Sequence, residues 1–299
     1  MKILITGASG LVGKHLVPFL NAKGHDVYSL VRKTPQTERE IQWDSEKGFP
    51  EAEIPKLENA EAVVHLAGAG IADERWTKER KRIIRDSRVI GTRVLVDALK
   101  KLTNPPKTLI SASAIGFYGS RGDETLTEES APGKDFLAGV SVEWEQEAQS
   151  AKEAGIRVIN LRIGIVLSTE GGALKEMLTP FKMGVGGRVG KGTQFVSWIA
   201  LSDLVRVIEF AIENENLSGA VNATAPNPVR NSEFAETLGH VLGRPSLIAT
   251  PEFALRLMFG ELADALLFSS ARVVPQKLEA QNFNFQFVKI EDALRDLLQ

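Results

Sequence analysis

The sequence predicts an α/β fold in which a doubly wound parallel sheet is followed by a smaller, mostly helical C-terminal part. Short apolar segments of strand character alternate with helical segments over roughly the first 165 residues, and this alternation is typical of parallel sheets with right-handed crossovers. Beyond them, glycine-rich loops and a succession of helices replace the alternation. A glycine-punctuated turn after the first strand adds a candidate anion site.

The composition is that of a globular protein. The chain has 299 residues, 43% of them hydrophobic and 25% charged, which allows one large or two modest domains. The net charge of −2 comes from interleaved acids and bases, so no nucleic-acid or membrane surface is expected. With no cysteines and four scattered histidines, no metal site is expected either. The first strand begins at Lys2 and no apolar run is long enough to span a membrane, so we expect a cytoplasmic protein without a signal peptide.

The first element is a strand, a turn and a helix. The turn has the pattern Gly-x-x-Gly-x-x-Gly, and an apolar-periodic helix follows. Gly7 allows the sharp turn, Gly10 lets phosphate oxygens approach the backbone, and Gly13 lets helix and strand pack closely. Unpaired N–H groups at the helix start can then bind a diphosphate, although the glycines could serve packing alone. The predicted cofactor contacts here are Gly7, Ser9, Gly10, Leu11, Val12 and Gly13.

The second strand, Asp26–Val31, ends in Arg32 and Lys33. In dinucleotide domains an acid at this point binds the ribose 2′-hydroxyl of NAD, whereas a cation accommodates the 2′-phosphate of NADP. Since an acid is missing and two cations are present, the predicted cofactor is NADP(H). The alternative is that both cations are only a solvated strand end. A short third strand is predicted at 41–44, with Asp44 a weaker candidate for the adenine side.

A buried strand at 61–68 ends in small residues, which would let the cofactor lie against the backbone. The predicted contacts are Leu66, Ala67 and Gly68. His65, within the strand, is interpreted as a hydrogen-bonded residue rather than a catalyst. A long helix at 77–102 and a strand at 107–113 follow.

After a polar loop at 122–134, Asp135 is predicted to begin a helix, and a strand follows at 157–162. Ser202 and Ser232 are predicted to cap later helices. The glycine-rich stretch 184–192 is either a lid or a flexible surface loop. A strand at 219–223 is expected to return to the first sheet.

Four motifs resemble the extended short-chain dehydrogenase/reductase superfamily, the NAD(P)-dependent epimerase/dehydratase group. They are Thr6-Gly7-x-x-Gly10-x-x-Gly13, His65-Leu66-Ala67-Gly68, Ser111-Ala112-Ser113 leading to Tyr118-Gly119, and Trp198 to Asp203. Other residues are similar to an atypical branch of this group, often labelled as sugar-nucleotide epimerases: Trp43-Asp44, Trp76 with Ser87-Arg88, and Trp144-Glu145. The resemblance implies a Rossmann-type domain that holds NADP(H) at 1–165, with segments at about 195–225 returning to it. A smaller C-terminal domain at 166–299 would close a substrate cleft.

One departure from the superfamily concerns proton transfer. The superfamily normally uses a serine and a Tyr-x-x-x-Lys pair, in which the lysine lowers the pKa of the tyrosine. Phe136 stands at the tyrosine position and Val140 at the lysine position. Phenylalanine cannot transfer a proton and valine cannot lower a pKa, so the usual mechanism is in doubt.

Other residues could supply the missing chemistry. Tyr118 is a candidate acid, although it could equally be a packed aromatic in a turn. Ser113 could polarise a carbonyl, with Ser111 in reserve, or either serine could bond to the loop. On weaker grounds, Glu129 or Asp123 could enter from the polar loop. Separately, the arginines Arg88 and Arg162 are predicted to contact a cofactor phosphate or a carboxylate substrate, or to be packing residues.

Two functions fit these residues. One is an NADP-dependent oxidoreductase or epimerase that acts on a small polar substrate with a non-standard proton donor. The other is a catalytically silent protein that senses NADP(H). The substrate is not identified by the sequence, and a homodimer is expected only because it is the habit of the superfamily.

Overall fold

The computed structural model describes every residue from 1 to 299. The central sheet has seven strands: β1 (Lys2–Thr6), β2 (Asp26–Val31), β3 (Glu40–Gln42), β4 (Ala62–His65), β5 (Thr108–Ala114), β6 (Arg157–Ile163) and β7 (Gly219–Ala223). All neighbouring strands are parallel, in the order β3-β2-β1-β4-β5-β6-β7. This confirms the predicted doubly wound sheet. The strand order reverses between β1 and β4, and folds of this kind bind ligands there, outside the carboxyl ends of the strands.

Nine α-helices accompany the sheet: α1 (Leu11–Ala22), α2 (Lys78–Leu99), α3 (Phe136–Gln149), α4 (Gly172–Lys182), α5 (Leu201–Glu213), α6 (Asn231–Leu242), α7 (Glu252–Phe259), α8 (Gln276–Ala280) and α9 (Ile290–Leu298). Three short strand pairs lie outside the sheet: Ile165–Leu167 with Trp198–Ala200, Phe195–Val196 with Val229–Arg230, and Thr125–Leu126 with Arg272–Val273. None of the helices combines the length and the apolar character needed to cross a membrane.

The sheet is buried on both faces. Successive side chains of a strand point to opposite faces, so Ile3 and Ile5 join a core made with α1 and α5. Leu4 joins a second core, made with α2 and α3 on the other face. A third core holds together α4, α6 and α9 in the C-terminal part. The two helical layers keep β1 and β4 in place while their carboxyl ends stay open to a ligand.

The predicted helix caps are only partly right. Asp135 caps α3 as expected, because its Oδ1 accepts the Ala138 N–H at 2.9 Å. The caps predicted at Ser202 and Ser232 are wrong, since α5 and α6 begin one residue earlier and neither has a side-chain cap. The polar side chains near these starts serve the tertiary structure instead. The Asp203 carboxylate, for example, accepts the backbone N–H groups of residues 286 and 287.

The glycine-rich stretch 184–192 is held against the segment that precedes α7. The Gly190 N–H donates to the Thr250 carbonyl at 3.0 Å, and the Thr250 N–H donates to the Arg188 carbonyl at 2.9 Å. A bridge between Gly187 and Leu247 extends this contact. The stretch therefore has a defined packing partner in the C-terminal part.

Candidate functional site

The turn between β1 and α1 depends on close backbone contacts. Gly7 has a φ of +70°, a conformation that disfavours residues with a Cβ. A Cβ on Gly7 would lie 2.9 Å from the Leu66 carbonyl carbon, and one on Gly13 would lie 2.3 Å from the Gly7 oxygen. The Gly10 N–H closes the turn by donating to the Gly7 carbonyl at 2.9 Å. Because of the short distances to an added Cβ, neither Gly7 nor Gly13 can be replaced without moving the backbone.

The first turn of α1 offers donors to a ligand. The N-cap residue, Gly10, has no capping side chain, and the first turn contains no acidic residue. The N–H of Lys14 donates to the Gly10 carbonyl at 2.9 Å, whereas the N–H groups of Leu11, Val12 and Gly13 have no acceptor in the protein. Three free donors at the positive end of a helix dipole are suited to a diphosphate.

Thr6 connects the carboxyl ends of β1 and β4. Its hydroxyl oxygen accepts the backbone N–H groups of Leu66 and Ala67, both at 3.1 Å. The Thr6 hydroxyl proton is therefore donated to His65 Nδ1, 2.7 Å away. The opposite ring nitrogen, Nε2, then carries the proton and donates to Thr92 Oγ1 at 2.9 Å. His65 is thus a hydrogen-bonded strand residue, and its complete burial lowers its pKa to about 4.

The end of β4 borders the turn. A Cβ on Gly7 would lie 3.0 Å or less from backbone atoms of Leu66 and Ala67, and Gly68, next along the chain, is exposed. The Ala67 N–H already donates to Thr6, so it is not free to bind a ligand. A ligand at this strand end would contact the remaining atoms of Ala67 and Gly68.

The two cations that follow β2 are exposed. Lys33 Nζ lies 3.9 Å from a Glu40 carboxylate oxygen, whereas the Arg32 guanidinium has neither a hydrogen bond nor an ion pair. Asp44 accepts the N–H groups of Glu46 and Lys47, which lowers its pKa. Arg32 is therefore the freest of the groups predicted to contact the adenosine half of the cofactor.

Ser113, Tyr118 and Arg162 belong to a buried polar network instead of facing an open cleft. Ser113 Oγ donates to Glu145 at 2.7 Å, and Arg162 binds both oxygens of that carboxylate at 2.8 and 2.9 Å. The Tyr118 hydroxyl accepts from Arg162 at 2.9 Å and donates to Asn222 Oδ1 at 2.6 Å.

Burial leaves these groups little freedom to react. Tyr118 is 0% exposed, and its burial raises the pKa of the phenol. These contacts agree with the alternative of a packed aromatic in a turn, and the role of Tyr118 as an acid stays a prediction. Arg162 is likewise paired with Glu145, so contact with a phosphate or carboxylate ligand would require it to share or break this ion pair. Glu145 and Asn222 complete the network and were not predicted.

The remaining candidates lie apart. Ser111 is buried and donates to the neighbouring Ala112 carbonyl at 3.3 Å. Asp123 is paired with Arg230 at 2.8 Å, and the hydrogen bond from Arg230 lowers the pKa of its carboxyl group. Glu129 is exposed. None of the three forms a cluster with the first turn of α1.

Phe136 and Val140, at the positions where the superfamily has its Tyr–Lys pair, lie in a mostly apolar environment. Phe136, half-buried, makes an edge-to-face contact with Trp76, with ring centroids 5.3 Å apart. Lys81 Nζ lies 5.1 Å from the centroid of the Phe136 ring and forms an ion pair with Glu261. Val140 is buried. An aromatic pair with a nearby cation thus replaces the proton-transfer pair.

Arg88 lies beside the end of β4. Its Nη1 donates to the carbonyls of Ala69 and Ile84 at 2.9 and 3.0 Å, and its guanidinium carbon lies 5.2 Å from the centroid of the Trp144 ring. No carboxylate contacts it. Burial, together with the positive charge of nearby Arg80, lowers the pKa of Arg88 to about 10.

Away from this cleft, ligand atoms of His25, Glu209 and Glu213 lie within 4.8 Å of one another. Lys23 Nζ is 3.3 Å from Glu209, so that carboxylate already has a cationic partner. We assign no metal to this group.

Known relatives align with the whole chain. The NAD dependent epimerase/dehydratase family matches residues 3–223, and a domain of unknown function, DUF1731, matches residues 250–297. The epimerase family protein MT2273 of Mycobacterium tuberculosis is 41% identical over 292 residues, covering 98% of this chain and 96% of the relative. The epimerase family protein YfhF of Bacillus subtilis is 39% identical over 303 residues, covering 100% and 98%. The crystal structure of human epimerase family protein SDR39U1 (isoform2) with NADPH has 30% identity and a TM-score of 0.90, over 99% of each chain.

Proposed function

Because the chain belongs to the NAD dependent epimerase/dehydratase family, we propose that it binds NADP(H) and acts as an oxidoreductase or epimerase on a small polar substrate. The first turn of α1 carries this proposal, since three of its N–H groups have no acceptor and no acidic residue competes for them. The cofactor's diphosphate would bind there. The proposed contacts are Gly7, Ser9, Gly10, Leu11, Val12, Gly13, Arg32, Lys33, Leu66, Ala67 and Gly68.

A preference for NADP(H) over NAD(H) is supported by the residues after β2. Arg32 is exposed and has no partner in the protein, so its guanidinium is available to a ribose 2′-phosphate. No acidic residue stands at this strand end to bind a 2′-hydroxyl. The human relative was crystallised with NADPH, which agrees with this preference.

When bound, the nicotinamide would supply hydride transfer. The protein's own acid–base group must differ from the usual pair, because Phe136 and Val140 cannot transfer or tune a proton. That same substitution favours a second candidate function, a catalytically silent protein whose NADP(H) occupancy regulates a partner. Retention of the C-terminal part favours the enzyme.

Cofactor choice can be tested by titrating NADPH and NADH and following the fluorescence of the reduced nicotinamide. We expect tighter binding of NADPH, and a loss of about 1.5–3 kcal/mol of NADPH binding energy in Arg32→Ala, with NADH binding unchanged. Arg39→Ala is the matched control, because Arg39 pairs with Asp26 at the opposite end of β2. Equal or tighter binding of NADH by the unmodified protein would overturn the preference.

The two candidate functions differ in turnover. Incubation of the NADPH complex with a panel of aldehydes and ketones should show substrate-dependent loss of absorbance at the nicotinamide band if the protein is an enzyme. A silent sensor would show no turnover. It would instead bind its partner differently in the apo and NADPH-bound forms, a difference that Arg32→Ala should weaken at limiting NADPH.

A further inference from the structure

Arg88 is a half-buried cation without a carboxylate partner. Its guanidinium is held between Trp144 and Gly68; a Cβ on Gly68 would lie 3.3 Å from the guanidinium carbon. Its two hydrogen bonds use Nη1 and go to backbone carbonyls, so Nε and Nη2 have no acceptor. The cation–π contact with the indole and the two carbonyl bonds hold the guanidinium in place, and they leave its remaining N–H groups available to a ligand.

A second arginine next to it is also incompletely satisfied. Arg80 Nη2 donates to the Gly70 carbonyl at 2.6 Å and to Asp73 at 3.1 Å. Its side chain is only 11% exposed, while that of Asp73 is 66% exposed. Arg80 Nε is buried and has no hydrogen-bond partner. The two arginines therefore bring two positive charges to the loop after β4, where the only carboxylate paired with either of them is the exposed Asp73.

Two other enclosed arginines of this protein have more of their N–H groups hydrogen-bonded. Arg157 donates five hydrogen bonds, four to carbonyls and one to Thr108, and Arg162 holds Glu145 through two. Enclosing a cation without a counterion costs free energy. An anionic ligand that accepts hydrogen bonds from Arg80 and Arg88 would offset that cost.

We propose that Arg80 and Arg88 bind an anionic group of the substrate, a carboxylate or a phosphate, beside the cofactor. The proposal rests on the proposed function, because it places the nicotinamide cofactor against the end of β4. Arg88 lies next to Gly68, where an added Cβ would be 3.3 Å from the guanidinium carbon. Because Gly68 is proposed to face the cofactor, the anion would lie at the edge of the same cleft. A guanidinium presents paired N–H groups that match two oxygens of either anion.

The test uses inorganic phosphate and acetate as probes, each titrated by calorimetry into protein saturated with NADPH. We expect Arg88→Gln and Arg80→Gln each to weaken binding of the anion by about tenfold or more, with the NADPH dissociation constant changed by less than about twofold. Arg82→Gln is the matched control. It lies on the same helix, is 62% exposed and is paired with Glu79 and Asp86, so it should bind both probes as the unmodified protein does.

The outcomes separate the possible sources of the anion. Undetectable binding of both probes to the NADPH complex, or equal affinity in Arg88→Gln, would overturn the anion site while leaving NADPH binding intact. If Arg88→Gln weakens NADPH tenfold and saturating NADPH excludes phosphate, the anion is the cofactor's own diphosphate and the substrate assignment is wrong. Failure of the unmodified protein to bind NADPH would overturn the proposed function itself.

Arg88→Lys tests the anion site even if Arg88→Gln fails to fold. Arg88→Lys keeps the charge but loses the paired N–H geometry, so it should retain the fold and bind phosphate with an affinity between those of the unmodified protein and Arg88→Gln. Phosphate affinity equal to that of the unmodified protein in both Arg88→Lys and Arg80→Gln would contradict the proposal.

Discussion

The hydroxyl of Thr6 donates to Nδ1 of His65 at 2.7 Å, across the two strands between which the sheet order reverses. Through the same oxygen, Thr6 accepts the N–H groups that follow His65. One side chain therefore fixes the imidazole tautomer, the end of β4 and the edge of the proposed cofactor cleft.

Thr6→Val should destabilise the protein without a change in side-chain shape. The valine would leave His65 Nδ1 and the Ala67 N–H without partners, whereas the Leu66 N–H keeps its bond to the Thr6 backbone carbonyl at 3.3 Å. We expect this loss to cost about 3 kcal/mol of unfolding free energy. Urea denaturation would measure it. Thr6→Ser, which keeps the hydroxyl, is the control and should lose much less. A Thr6→Val protein as stable as Thr6→Ser would show that these bonds contribute little.

The burial of His65 predicts a pH dependence of stability. Its pKa is about 4 in the folded protein and about 6.5 when unfolded, so between these values the unfolded chain binds more protons. Stability from this group is therefore present above pH 6.5 and is lost as the pH falls towards 4. The expected loss between pH 7 and pH 5 is about 2 kcal/mol. Carboxylates titrate in the same range, so the measurement is the difference from His65→Gln, whose unfolding free energy should change less over that interval.

Two glycine-to-alanine substitutions distinguish a glycine needed for close packing from one that only lowers helix propensity. Gly13→Ala would put a methyl group 2.3 Å from the Gly7 oxygen, so we expect a cost of about 1–3 kcal/mol and a marked loss of NADPH affinity as the turn shifts. Gly139→Ala, in α3 with no atom within 4 Å of the new Cβ, should stabilise by about 0.5–1 kcal/mol and leave NADPH binding unchanged. Thermal unfolding and nucleotide titration of both variants check this. A Gly13→Ala protein that binds NADPH normally would contradict the close-packing role.

The parts of the protein that depend on neighbouring residues could be predicted from sequence. Residues close together in the sequence determine the first strand, turn and helix. The same is true of the Asp135 cap and the buried strands. The glycine spacing even indicated which turn would have free N–H groups. What remained ambiguous were side chains whose role is decided by distant partners.

Two arginines illustrate that limit. The sequence predicts anion binding by both Arg88 and Arg162. Their residue type and local context, a helix for Arg88 and a strand for Arg162, favour anion binding equally. Folding brings Glu145 to Arg162 and no carboxylate to Arg88, and nothing local distinguishes the two. Tyr118 and Asn222 are 104 residues apart, so the burial of that phenol could not be read from its own turn.

Tyr118→Phe tests whether that phenol is structural. Removing the hydroxyl would leave Asn222 Oδ1 without a donor and take one acceptor from Arg162, both in a buried site. We therefore expect a loss of about 1–3 kcal/mol in unfolding free energy, with the NADPH dissociation constant unchanged. The control is Tyr28→Phe at the other tyrosine of the chain, which is half-buried and should change stability by less than about 0.5 kcal/mol.

The two roles of Tyr118 have opposite signatures. If the phenol is structural, Tyr118→Phe unfolds more easily, and any carbonyl-dependent oxidation of NADPH continues at the rate of the unmodified protein at temperatures where the variant is folded. If the phenol is a proton donor, the variant keeps its stability and loses turnover. The bonds to Arg162 and Asn222, and a hydroxyl with no solvent contact, lead us to expect the first result.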